Sequence, residues 1–91
     1  MPERRVVVGS KVGLHARPAA MFVQAAAKQP VKVTIAKSAG GAPVDARSIL
    51  SVLALDARGG DEVVLTADGD GADQALDELA ALVARDLDSE G

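Results

Sequence analysis

Two hydrophobic rhythms alternate along this chain, and their order narrows the fold more than any other feature of the sequence. In "RRVVV" the valines at 6 and 8 alternate with Arg5 and Val7, the period of two that marks a strand with one buried face. "PVKVTIAK" repeats the pattern, setting Val31, Val33 and Ile35 against Lys32 and Thr34, and "DEVVLTA" does so again through Val63 and Leu65. In "ARPAAMFVQAAAK", by contrast, Ala19, Phe22, Val23 and Ala26 recur at helical spacing in an Ala-rich segment, which predicts a helix of about three turns. "SAGGAP" turns the chain towards a short strand around Val44. "SILSVLAL" then predicts a brief helix capped by the Ser48 hydroxyl and ended by "RGG". "DGDG" closes the last strand and caps a final helix, whose apolar stripe is Leu76, Leu79, Val83 and Leu87, with Asp73, Asp77 and Glu78 outward. The order βαββαβα predicts one α+β domain over residues 1–91, a mostly antiparallel four-stranded sheet with helices on one face.

Composition limits what such a domain can do. Phe22 is the only aromatic residue, so the core must be aliphatic and close-fitting, and platforms for stacking nucleic-acid bases are excluded. The chain has no cysteine, which removes disulfides, thiolate nucleophiles and the usual zinc clusters. No apolar run approaches the roughly 20 residues that span a bilayer, and "MPERRVVV" lacks the apolar stretch of a signal peptide; both point to a cytoplasmic chain that does not enter a membrane. The net charge of −3 hides an asymmetry, for residues 1–48 hold eight Lys/Arg against Glu3 and Asp45, while residues 49–91 hold eleven acids against Arg58 and Arg85. A basic half is suited to steering an acidic partner. The scatter of its cations, without interleaved aromatics, argues against a nucleic-acid partner.

The single histidine lies in "GLHARPAA". Proline has no N–H and a fixed φ, so it is at home in a first helical turn, and Pro18 therefore places the helix start at residues 16–18. His15 then sits at the N-terminus, where backbone N–H groups without intrahelical partners attract anions. Arg17 adds a permanent cation whose planar fork of donors matches phosphate oxygens. A neutral imidazole keeps a ring-nitrogen lone pair with which to attack phosphorus. The pattern suits a phosphoryl carrier, with Ala16 and Pro18 forming the helix start.

"GLHARPAA" together with "DARSILSVLALDARGGDEV" resembles the HPr family, the histidine-containing phosphocarriers of the bacterial phosphoenolpyruvate:sugar phosphotransferase system, over essentially the whole chain. The resemblance implies an open-faced β-sandwich with three helices on one face. It implies a monomeric stoichiometric carrier, not an enzyme, that needs no metal or organic cofactor of its own. His15 would accept the phosphoryl group on Nδ1 from phosphorylated enzyme I and pass it to EIIA domains of sugar transporters, with Arg17 holding the phosphate. Docking falls to Phe22, Arg47, Ile49, Leu50 and Leu53. Ser48 matches the serine that a dedicated kinase phosphorylates in some members, which would make that kinase and regulatory proteins further partners. Gln24 and Ala27 stand where some members carry lysines, and Leu50 where some carry Met or Phe, so this docking surface is less basic and less bulky.

Other readings carry less. "DGDGAD" alternates acids but puts Ala72 at the fifth position of a calcium loop and Glu78 one short of the twelfth. A hydrolase triad of Ser10, His15 and an aspartate lacks a nucleophile elbow. A regulatory binding module of the same fold, sensing metabolism through Ser48, would have no use for His15. The tail "RDLDSEG" reads as a solvated, fraying end.

Overall fold

The computed structural model describes residues 2–11 and 13–85, with Ala16 described by its backbone alone. Its elements follow the expected order: β1 (Glu3–Val7), α1 (Ala16–Ala27), β2 (Val33–Lys37), β3 (Val44–Asp45), α2 (Ile49–Ala54), β4 (Glu62–Ala67) and α3 (Ala72–Ala84). The strands form one sheet of order β1-β4-β2-β3, and the chain is an α+β open-faced sandwich. Every pairing among the described residues is antiparallel, so the sheet is fully rather than mostly so.

The alternation builds the covered face. Val33 and Ile35 of β2 stand beside Ala67 and Leu65 of β4, and all four are buried. Val63 continues the row towards β1, opposite Val6. Phe22, Ala19 and Ala26 of α1 and Leu76, Leu79 and Val83 of α3 close on this face. Each large side chain removed from water contributes roughly 1.5–3 kcal/mol, and the alanines let the helices approach closely enough to exclude it. α3 packs on β1 and β4 and against α1, which in turn packs on α2. On the other face Arg5 meets Glu3 and Glu62 at 3.7 and 3.6 Å, and Thr34 pairs with Thr66, as expected of a wet surface.

Three details differ from the sequence reading or sharpen it. Phe22 is wholly buried, so the one aromatic fills the core and is not available for docking. Its ring has the largest apolar area in the chain, and an inward position on α1 removes that area from water. The N-cap of α3 is Gly71 at φ +89°, with no side-chain hydrogen bond, so "DGDG" starts that helix through backbone geometry and not through an aspartate cap. The expected stripe residue Leu87 and the acidic tail beyond Arg85 lie outside the described residues.

Candidate functional site

The site forms where the loop before α1 meets the loop after α2. The Leu14 N–H donates to the Ala57 carbonyl at 2.8 Å, and Ala57 is fully buried between the two segments. Glycine is required on both sides of this contact. At Gly13, where φ is +73°, a Cβ would overlap the Ala57 carbonyl oxygen; at Gly59 it would lie 2.6 Å from the Ser10 carbonyl oxygen. With Ala57 turned inward, its neighbours Asp56 and Arg58 face out beside His15.

His15 is the N-cap of α1, with extended backbone (φ −131°, ψ 161°) and no side-chain cap, and its carbonyl accepts the Ala19 N–H at 3.4 Å. Pro18 is buried in the first turn, as its missing N–H allows. The imidazole is 38% exposed, enough to be reached from solvent. Its Nε2 lies 3.2 Å from Asp56 Oδ1, while the other carboxylate oxygen accepts from Arg58 at 3.2 Å. Lys37 Nζ donates to the Asp56 carbonyl at 3.3 Å and lies 3.5 Å from the Asp61 carboxylate, bracing the loop. The Arg58 hydrogen bond holds the Asp56 carboxyl below its ordinary range, and His15 adds to this. Arg17 is exposed on the first turn, and its guanidinium makes no hydrogen bond or ion pair among the described residues.

The surroundings of His15 are therefore not simply positive, because a carboxylate reaches the ring. Sequence reading passed over Asp56, which is 41 positions from His15. The available signal was an acid just after a short helix, a place where glycine usually ends the turn. Nor does the basic half keep its charges apart, since Arg4 crosses to Asp73 and Asp77 of α3 at 3.4 and 3.0 Å.

A second group of residues gathers at the start of α2. The Ser48 hydroxyl accepts the Ser51 N–H at 3.3 Å, the cap expected from sequence. Arg47 is exposed and bonded to Asp45 through both its backbone N–H (2.9 Å) and its guanidinium (3.2 Å), which holds the Asp45 carboxyl below its ordinary range. Ile49 and Leu50 are 39% and 77% exposed, whereas Leu53 is half-buried against the core. Of the five residues expected to dock partners, Arg47, Ile49 and Leu50 are presented outward.

A family model described as "PTS HPr component phosphorylation site" matches residues 2–85. The chain is 58% identical over 88 residues to "Phosphocarrier protein HPr" of Streptomyces coelicolor, covering 97% of this chain and 94% of that one. Its fold is similar to the crystal structure of the phosphocarrier protein HPr from Bacillus anthracis, with a TM-score of 0.84, 40% identity, and 90% and 95% of the two chains covered. It is also similar to the Bacillus subtilis catabolite repression protein Crh, whose crystal structure is described as a swapped dimer (TM-score 0.72, 41% identity, 94% and 97% covered).

Proposed function

From membership of the HPr family of phosphocarriers, to which this chain belongs, we propose that His15 is the residue that carries the phosphoryl group, taking it from phosphorylated enzyme I and giving it to EIIA domains. The observation that carries this reading is the exposed imidazole at a helix start whose side chain caps nothing, with the Arg17 guanidinium, unpartnered among the described residues, two positions on. A phosphoryl group on the ring would meet the first-turn N–H groups of α1 and the Arg17 fork together. Stabilisation of that kind is electrostatic and suits a carrier, which must take up and release its cargo with similar ease.

Ile49 and Leu50, with Arg47 beside them, form the docking patch of this reading, since a brief complex needs moderate apolar burial and steering charge. Phosphorylation of Ser48 would place about −2 charge on that patch and weaken docking, although the phosphate could still accept from the first turn of α2. The chain acts as a single cytoplasmic domain. No helix among the described residues is long and apolar enough to cross a membrane.

Intact-protein mass spectrometry after mixing the chain with phosphoenolpyruvate, magnesium and a bacterial enzyme I tests the reading. One acid-labile phosphoryl group is expected, and none in His15→Ala. Uptake that persists in the variant, or its absence from the parent chain, would overturn the assignment.

A further inference from the structure

Asp56 occupies a place that two local rules oppose. It follows α2 in the left-handed region at φ +52°, and no other described residue except glycine has a positive φ. It also sets a negative charge at the C-terminal end of a helix, where the backbone carbonyls already point. Local rules are broken most readily where a side chain has work to do. Here the side chain reaches His15 Nε2 at 3.2 Å with one oxygen and Arg58 at 3.2 Å with the other, while Lys37 secures its carbonyl.

We infer that Asp56 is a positioning residue for phosphoryl transfer at His15, holding the imidazole as the tautomer with hydrogen on Nε2 and stabilising the ring cation that forms when Nδ1 takes up phosphorus. This rests on the carrier reading above. An ionised carboxylate can only accept, so a hydrogen bond to it puts the hydrogen on Nε2 and leaves the lone pair of the neutral ring on Nδ1. That lone pair forms the N–P bond as the donor's bond to phosphorus breaks and its electron pair leaves with the donor. The ring keeps its Nε2 hydrogen and gains one positive charge facing Asp56. On donation the N–P pair returns to Nδ1, and the neutral ring leaves without any proton having moved. Arg58 keeps the carboxylate ionised and aimed, and Arg17 is left for the phosphate.

Two substitutions separate this role from folding. Asp56→Gly suits the positive φ and removes the acceptor; Asp56→Asn keeps an acceptor oxygen and removes the charge. Imidazole 15N NMR should show the Nε2-hydrogen tautomer predominating in the parent and in Asp56→Asn, and a mixture in Asp56→Gly. Phosphorylation of His15 by phosphoramidate and by phosphorylated enzyme I should slow about tenfold in Asp56→Gly, with partial recovery in Asp56→Asn and only a small change of unfolding midpoint in either. Unchanged tautomer populations in Asp56→Gly, or unchanged rates, would overturn the inference. A parent chain that takes phosphate from phosphoramidate but not from enzyme I would instead fail the carrier reading, and the role of Asp56 would still be read from the tautomer and the phosphoramidate rate.

Discussion

α1 and α2 both begin at a residue with extended backbone, yet their free N–H groups are treated in opposite ways. At α2 the Ser48 hydroxyl turns back onto the Ser51 N–H, and the helix start is satisfied from within. At α1 the His15 ring caps nothing and turns to Asp56, leaving the helix start open beside an exposed arginine. A capped start contributes stability; an open one keeps its electrostatic capacity for something that arrives from outside. The pair shows how one chain uses the same structural element once for stability and once for chemistry.

The sharpest way to break this contrast is Arg17→Ala. If the open start works with Arg17 as a phosphate site, the rate of phosphoryl transfer measured by rapid quench should fall about a hundredfold in at least one direction, equivalent to about 2.7 kcal/mol of transition-state stabilisation. A rate within twofold of the parent would leave α1 with no special role for the cation. Next in size is the cap itself. Ser48→Ala should lower stability by about 1 kcal/mol in urea unfolding, whereas His15→Ala should stay within about 0.5 kcal/mol of the parent. Equal losses at both positions would erase the difference between the two starts.

The smallest effect comes from acid. Asp45, just before α2, is held down by Arg47, and Asp56, beside the start of α1, is held down first by Arg58 and then by His15, both below the ordinary value of 3.8. A carboxyl whose folded pKa is depressed contributes stability above its unfolded value and loses it as pH falls through the folded one. Urea midpoints should therefore decline as pH drops from about 5 through 3.8 and below, and the decline should be shallower in Asp45→Asn. Asp56 is exposed and Asp45 half-buried but still wet, so solvent keeps the effect small. A midpoint that rises on acidification would contradict the assignment of these pairs.

Much of this was legible in the residues because it depends on local spacing. A period of two in "VKVTI" and "EVVLT" exposes one apolar face whatever lies elsewhere, and Pro18 can stand only in a first turn, so the strands, the start of α1 and the place of His15 follow from near neighbours. Ser48 was readable as a cap for the same reason. Tertiary structure alone decided which apolar side chains face inward when a helix offers several, and it sent Phe22 to the core and left Leu50 outside. It alone brought Asp56 to His15. That contact depends on two loops closing over Ala57, a closure that Gly13 and Gly59 permit by having no Cβ, and no local period records a meeting of residues so far apart in sequence.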